Sequence, residues 1–250
     1  MNVAVLTGAS SGIGFAVAKR LAEEGYALII NSRQPEKALE ELKSMGAQVT
    51  AVPGNLADEE TCRQIIAEAE RLGRLDALFL NHGGPPIKPM IEVTDEEWEN
   101  YFRLMVLGPL RLFRQAVPLF QKNKGGRVVA ISSFTVKNPY PGIVLSNALR
   151  AALVNALKTA ALELGKDNIM INLVAPGYIF TDRTREWNES YAEQEGIDPE
   201  DIAQRTIQVV PLKRYGTPEE IAEVIAFLLT KNHYISGQQI IVDGGLIVAN

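Results

Sequence analysis

The stretch Thr7-Gly8-Ala9-Ser10-Ser11-Gly12-Ile13-Gly14 decides the fold, because it joins a strand-like run to a helix-like one. The residues just before it, 3–6, are all apolar, which predicts a buried strand. After it, apolar side chains recur at helical spacing, at Ile13, Val17 and Leu21. Glycines at such a turn let the backbone approach a ligand closely, and the free N–H groups of the following helix suit a pyrophosphate. This context is typical of a dinucleotide-binding loop.

Short apolar runs and longer amphipathic stretches alternate through the rest of the chain. Further strands are predicted at 27–30, 49–52, 77–80, 127–131, 169–174 and 239–242. Helices are predicted between them at 35–44, 58–73, from 94 onwards, 144–164 and 217–229. The helices from 94 and 217 begin with capping boxes, Thr94 to Glu97 and Thr217 to Glu220. Strands that are apolar on both faces and alternate with helices predict an α/β fold, with a parallel sheet covered on both faces.

Residues 1–250 are predicted to form one domain, because no linker, repeat or low-complexity segment divides them. One region, 182–210, is polar and weakly patterned, with Trp187 and Tyr191 interspersed. A long irregular insertion in a compact domain is often a lid over a ligand, so we expect a lid-like insertion here. A plain surface excursion is the alternative.

The composition excludes several classes of protein. With 46% hydrophobic residues, 22% charged residues and one cysteine, the chain is neither disordered nor a disulfide scaffold. A net charge of −5 without a dense basic patch argues against a nucleic-acid partner. No apolar run reaches the roughly 18 residues of a membrane span, and two histidines are too few to suggest a metal site. Cys62 is expected to be a buried thiol, and a strand beginning near Asn2 leaves no room for a signal peptide, so we expect a cytoplasmic protein.

Six segments together resemble the short-chain dehydrogenase/reductase family, whose glycine loop reads Thr-Gly-x-x-x-Gly-x-Gly. Besides the loop, they are Asn81-His82-Gly83, Ile131-Ser132-Ser133, Pro176 to Thr181, Gly216 to Ala222 and Val242 to Gly245. The resemblance covers nearly the whole chain. It implies a single-domain Rossmann fold with a doubly wound, seven-stranded parallel sheet, and NAD or NADP as cofactor. It also implies a homo-oligomer, a tetramer or a dimer, assembled through the helices near Glu97 and Val144 and the C-terminal helix and strand.

The end of the second predicted strand favours NADP(H) over NAD(H). NAD binders place an acidic residue there for the ribose hydroxyls, whereas NADP binders place an arginine for the 2′-phosphate. This chain has Asn31-Ser32-Arg33, in which Arg33 can pair with a phosphate and Ser32 can donate beside it. The resemblance places the cofactor against Gly8, Ser10, Ser11, Gly12, Ile13, Gly14, Ser32, Arg33, Asn55, Leu56, Asn81, Gly83, Arg150, Pro176, Gly177, Ile179 and Thr181.

The catalytic residues depart from the family pattern. The family uses a tyrosine four residues before a lysine, supported by a serine and an asparagine, and no tyrosine here has a lysine four residues on. Counting from Ser133 places Ser146 at the tyrosine and Arg150 at the lysine, and counting from Trp98 places Met105 at the asparagine. A serine is a much weaker acid than a phenol, and an arginine does not release its proton.

Three functions remain open at this point. In the first, the chain is an NADP-dependent oxidoreductase that acts on a small carbonyl or hydroxyl substrate. It retains Ser133 and uses a non-standard acid–base group. Tyr140, Tyr178 and His82 are candidates for that group because they follow strand ends, and solvent is another. Alternatively, it binds NADP(H) as a pseudoenzyme or sensor, or it performs dehydration or isomerisation in the same pocket.

Overall fold

The central sheet of the computed structural model, which describes residues 1–248, contains seven parallel strands. They are β1 (Val3–Thr7), β2 (Ala27–Ser32), β3 (Val49–Pro53), β4 (Ala77–Leu80), β5 (Gly126–Ile131), β6 (Ile169–Pro176) and β7 (Gln239–Val242). Their order is β3-β2-β1-β4-β5-β6-β7, so the chain reverses direction across the sheet between β1 and β4. Every predicted strand is present, and the Rossmann architecture expected from the sequence is confirmed. The last two residues of the predicted domain, 249 and 250, lie outside the described part of the chain.

Helices cover both faces of this sheet. They are α1 (Gly12–Glu23), α2 (Glu36–Ser44), α3 (Glu59–Arg71), α4 (Asp95–Phe102), α5 (Gly108–Lys122), α6 (Val144–Leu164), α7 (Asp182–Glu195), α8 (Pro199–Val209) and α9 (Pro218–Thr230). One hydrophobic core joins α3, α5 and α6 to the sheet, and a second joins α1, α2 and α9 to the opposite face. Strands such as β1 and β4 are buried at every position because they serve both cores, which is why they read as continuous apolar runs.

The ends of the helices show which local signals were informative. Thr94 and Thr217 form complete capping boxes with Glu97 and Glu220, as predicted. Asp58 occupies the N-cap position of α3 but makes no side-chain capping hydrogen bond. The thiol of Cys62, on the same helix, is fully buried as expected.

A π-helical turn, Arg103–Leu107, joins α4 to α5 in one continuous helical path. Met105 lies within this turn and is completely buried. It packs with Val106 and with Leu145 and Leu149 of α6 in a small separate cluster. Single π turns inside helices are frequent near functional sites, and here the turn brings an apolar side chain to the position that resembles the family asparagine.

The region 182–210 is not irregular, and that prediction was wrong. It forms α7 and α8, whose N-caps are Thr181 and Asp198. The helical pattern is hard to see in the sequence because most α7 side chains are polar and the helix buries little apolar surface. The sequence does contain capping signals for both helices: Thr181 precedes the first, and the Asp198-Pro199 pair begins the second. Whether the pair acts as a lid stays a prediction.

No helix within residues 1–248 is both long and apolar enough to cross a membrane. The cytoplasmic location and the homo-oligomeric state expected from the sequence stay predictions.

Candidate functional site

A single large cleft opens at the carboxyl ends of β1 and β4, where the strand order reverses. Ligands of open α/β sheets bind at such a reversal point. The cleft has a volume of about 1700 Å³ and is lined by residues from the loops that follow β1, β2, β3, β4, β5 and β6. Side chains of helices, chiefly α6, α7 and α8, complete its walls.

The glycine loop forms one end of this cleft and is bonded to the neighbouring strand. Thr7 Oγ1 donates to the Asn81 carbonyl at 2.7 Å and accepts from the Asn81 N–H at 2.9 Å. Asn81 Nδ2 donates to the Gly8 carbonyl at 3.0 Å. Gly8 and Gly12 both have positive φ, at 58° and 52°, which glycine adopts without strain. The loop therefore presents its backbone and the N-terminus of α1 to the cleft.

Gly14 has a different task from the other loop glycines. It does not line the cleft, and its predicted contact with the cofactor stays a prediction. A Cβ atom there would lie 1.9 Å from the Gly8 carbonyl oxygen and 2.8 Å from Asn81 Nδ2. Only a residue without a side chain lets α1 pack this closely under the loop, so Gly14 shapes the site from beneath.

The end of β2 forms the far end of the cleft. Asn31 is buried, and its Nδ2 donates to the Val52 carbonyl at 2.9 Å. Ser32 Oγ is also buried but has no hydrogen-bond partner among the described residues, although it lines the cleft. An unpartnered buried hydroxyl is costly unless a ligand satisfies it. Beside it, Arg33 lies on the surface of the cleft. The sequence did not single out Lys37 and Glu36, which also line this end.

Ser133, Ser146 and Arg150 lie together on one wall of the cleft. Arg150 Nε donates to Ser146 Oγ at 3.1 Å, one turn back along α6. Its Nη1 donates to the carbonyls of Ile131 and Ser132 at 3.3 and 3.2 Å, at the end of β5. Ser133 Oγ accepts from Thr135 N at 3.2 Å and from Thr135 Oγ1 at 3.0 Å. Both serine oxygens therefore accept protein donors and keep their own O–H for a ligand.

Arg150 carries its charge without a carboxylate partner among residues 1–248. Burial first, and the positive charge of Arg183 second, lower its pKa to about 10. The guanidinium still stays protonated near neutral pH. A cation that is held by carbonyls and a hydroxyl, and not by an acid, keeps its field available to an anionic atom in the cleft.

The three candidate acid–base residues also line the cleft, and the pKa values of His82 and Tyr178 lie far from neutral pH. Burial, followed by the charge of Arg150, lowers the pKa of His82 to about 3. Its Nδ1 lies 2.8 Å from the Gly83 carbonyl, and its Nε2 is buried without a partner. Burial raises the pKa of Tyr178 to about 12. Tyr140 is 48% exposed at the mouth of the cleft. A group that transfers a proton efficiently near pH 7 has a pKa closer to that value.

Another wall of the cleft is one face of α7. The sequence indicated only part of this wall. Arg183, Trp187 and Tyr191 follow one another at intervals of four residues and all line the cleft. The Trp187 ring lies 5.7 Å from the Arg183 guanidinium. A Cβ atom on Gly142, in the loop before α6, would be 3.5 Å from the Tyr191 hydroxyl, so α7 reaches across to that loop. Trp187 and Tyr191 were noted from the sequence; Arg183 was missed.

Most of the residues that the sequence singled out are thus brought together. The cleft is lined by all predicted catalytic candidates and by all predicted cofactor contacts except Gly14. Met105 is separated from it within its apolar cluster. The roles of the predicted catalytic and cofactor-binding residues stay predictions. Among the described residues, no group of three or more His, Cys, Asp or Glu side chains could hold a metal ion.

Comparison with known proteins places this geometry in context. A family model described as enoyl-(acyl carrier protein) reductase matches residues 8–247. The chain is 33% identical over 250 residues to dehydrogenase/reductase SDR family member 4 of Oryctolagus cuniculus, covering 98% of this chain and 93% of that one. It is 32% identical over 249 residues to the 3-oxoacyl-(acyl-carrier-protein) reductase FabG of Staphylococcus aureus strain Mu50, covering 97% of each.

Solved structures agree along the whole length. The L-sorbose reductase of Gluconobacter frateurii, complexed with NADPH and L-sorbose, has a TM-score of 0.94 and 31% identity, covering 100% of this chain and 97% of that one. YwfH, an NADPH-dependent reductase involved in bacilysin biosynthesis, has a TM-score of 0.93 and 30% identity, covering 100% of this chain and 99% of that one.

Proposed function

This chain belongs to the short-chain dehydrogenase/reductase family of oxidoreductases, and we propose that it transfers hydride between NADP(H) and a small carbonyl or hydroxyl compound. One observation carries the proposal: Ser133, Ser146 and Arg150 converge on the cleft that also contains the glycine loop. Two hydroxyl donors and a permanent cation form a site for the oxygen of such a substrate. Ser146 and Arg150 take the place of the usual phenol and amine, beside the retained Ser133.

The residues present fit the cofactor. The glycine loop offers backbone N–H groups and the N-terminus of α1 to a pyrophosphate, and Ser32 Oγ is a buried hydroxyl that awaits a partner. Arg33 beside it supplies the charge for a 2′-phosphate, and none of the three residues Asn31, Ser32 and Arg33 is acidic. YwfH, which is NADPH-dependent, and the L-sorbose reductase, which is complexed with NADPH, support the same choice. Arg150 would hold ribose hydroxyls with the N–H groups it does not use on protein atoms.

Bound NADPH would supply the hydride. As negative charge develops on the substrate oxygen, Ser133 and Ser146 donate their O–H groups to it, and the Arg150 charge stabilises it. Arg150 does not give up its proton at neutral pH. Because the pKa values of His82 and Tyr178 lie near 3 and 12, the proton comes from one of the two remaining candidates, Tyr140 or water from the open side of the cleft.

A second candidate is an NADP(H)-binding sensor with little redox activity, and Met105 is the observation that favours it. The methionine is sealed among Val106, Leu145 and Leu149, which leaves no polar side chain at that position to hold a relay water. An apolar cluster there is compatible with binding a nucleotide but removes one route for protons. Dehydration or isomerisation in the same pocket is the third function that the sequence leaves open.

The test uses NADPH that carries deuterium at the hydride position, together with a panel of aldehydes, ketones and 2-oxo acids. Mass spectrometry measures whether deuterium is transferred to any product. We expect label in at least one product, and a loss of about 100-fold in kcat for Arg150→Met, because one preorganised electrostatic contact is worth about that much. Arg63→Met, which removes an exposed cation on α3, is the matched control. Tight NADPH binding with no labelled product across the panel would contradict the redox proposal and favour the sensor.

A further inference from the structure

Two guanidinium groups face the cleft without an acidic partner. Neither Arg150 nor Arg183 forms an ion pair within residues 1–248, whereas the neighbouring Arg185 pairs with Asp182 at 3.4 Å. Burial first, and the like charge of Arg183 second, lower the pKa of Arg150. Two like charges are held at one end of a cleft only at an energetic cost, and an anion between or beside them would relieve it.

Arg183 is fixed in place by contacts on one side only. Its Nη2 donates to the Pro85 carbonyl at 2.5 Å, and its guanidinium lies against the backbone of Gly84 in the loop after β4. The Trp187 ring lies beside it. A guanidinium has five N–H donors, and the others have no acceptor among the described residues. The side chain is therefore oriented by the protein while most of its donors remain available to a ligand.

The acidic side chains that line the cleft form no ion pair with these two cations, and Glu186, which lies outside the cleft lining, acts on Arg183 through its charge without pairing with it. Asp182 and Glu195 are paired with Arg185 and Arg205, on the outer side of α7 and towards α8. Glu36 begins α2, at the end of the cleft that contains Arg33. The end between the loop after β4 and α7 is thus positively charged, and it lies apart from the surface on which Arg33 would meet the 2′-phosphate.

The rest of this end is aromatic. Tyr140, Tyr178, Trp187 and Tyr191 all line it. Phe134 packs on Tyr178 with ring centroids 5.3 Å apart and keeps that ring at the wall. Such a surface favours an apolar or aromatic body, while the polar edge is supplied by the arginines.

We propose that the substrate of this site carries a carboxylate, which Arg183 binds through paired N–H donors, and that its apolar body lies against Trp187 and the tyrosines. The inference rests on the proposed redox function, since it names the substrate class for that site. A planar guanidinium matches a carboxylate with two parallel hydrogen bonds, which a neutral ester or amide cannot reproduce. Arg183 is then a residue that determines specificity, and Arg150 remains the group beside the reacting oxygen.

The test measures binding and does not depend on turnover. Protein saturated with NADPH is titrated calorimetrically with 3-phenylpropanoate and with the neutral 3-phenylpropanamide. We expect the acid to bind at least about tenfold more tightly, and Arg183→Gln to abolish that preference. Arg185→Gln, which removes the paired cation two residues further along α7, is the matched control and should keep it. Equal binding of the two probes, or no binding of either up to about 10 mM, overturns the proposal.

A second arm separates a substrate carboxylate from a cofactor phosphate. The Kd of NADPH is measured for the same variants. We expect Arg183→Gln to change it by less than about threefold. If the variant instead weakens NADPH about tenfold and leaves the preference between acid and amide intact, Arg183 serves the cofactor and the inference fails. Failure of NADPH to bind the wild-type chain would contradict the proposed redox function itself, and the two probes would then be compared on the free protein.

Discussion

Arg150 Nε donates to Ser146 Oγ at 3.1 Å, across one turn of α6, so the two residues act as one unit. The same guanidinium is held by the carbonyls of Ile131 and Ser132, at the end of β5. Because these acceptors are neutral, the contacts orient the cation and leave its charge uncompensated. The pair therefore offers a fixed positive charge and a free hydroxyl proton at the place where the family pattern has a phenol and an amine.

Restoring the family pair tests whether only the acid has been lost. We expect Ser146→Tyr with Arg150→Lys to raise carbonyl-reductase activity by about tenfold or more, because a positioned acid contributes that much or more to proton transfer. The measurement is NADPH oxidation with a panel of ketones, with each single variant as a control. No gain in a double variant that still binds NADPH would mean that the pocket has been shaped for another reaction.

Removing the Arg33 charge is expected to abolish cofactor discrimination. The wild type should bind NADPH more tightly than NADH, since Arg33 can pair with the 2′-phosphate beside Ser32. Arg33→Ala should weaken NADPH binding by about tenfold and leave NADH binding unchanged. Fluorescence titration of both nucleotides measures this, with the exposed Arg71→Ala on α3 as the control. Equal affinities in the wild type would remove the role assigned to Arg33.

His82 is expected to make the protein sensitive to acid. Its pKa in the folded state is lowered to about 3, by burial first and by Arg150 second, from an ordinary value of 6.5. Between these values the unfolded chain binds a proton that the folded chain does not, so stability is lost as pH falls through 6.5. His82→Ala should therefore reduce the loss in the free energy of unfolding between pH 7 and pH 5 by about 2 kcal/mol.

Urea unfolding at both pH values measures that difference. His233→Ala is a control at the second histidine, which contacts Arg127 on the other side of the molecule. A wild type and an H82A variant with the same pH dependence would show that the imidazole is not held neutral.

The assembly state expected from the family resemblance can be measured directly. The outer surface of α6 exposes Leu162 (87% accessible), and α9 exposes Phe227 (46%). Exposed apolar side chains on these helices fit the surfaces through which a homo-oligomer is predicted to assemble. Light scattering at micromolar concentration should give the mass of a dimer or a tetramer. Leu162→Glu should shift it towards the monomer, and a monomeric wild type would contradict the prediction.

The strands of the sheet could be predicted because their causes are local in sequence. The apolar runs at 3–6 and 77–80 are buried on both faces, and such strands keep a continuous apolar signature. The glycine loop was equally clear, since a strand, a glycine turn and a helix follow one another directly. The positions of Ser146 and Arg150 also followed from counting, because the spacing along one helix is fixed.

Other features depend on contacts that are distant in sequence. The neutral state of His82 arises from burial and from Arg150, 68 residues later in the chain. Arg183 was overlooked because a single arginine in a polar segment looks like a solvated surface residue. Only the fold sets it against Gly84, in a position where none of the described carboxylates forms an ion pair with it. The helical form of 182–210 was missed for a related reason, since α7 turns its Trp187 face to a cleft and not to a core.

The hydrogen bonds between Thr7 and Asn81, together with the one from Asn81 Nδ2 to Gly8, have a thermodynamic consequence. They order the nucleotide loop before any ligand arrives, so the protein loses little conformational entropy at this end of the cleft when it is occupied. The remaining ordering cost falls on the incoming nucleotide, whose flexible chain is the same with or without a 2′-phosphate. Preorganisation of this kind leaves charge as the main quantity by which the site can distinguish a nucleotide with a 2′-phosphate from one without it.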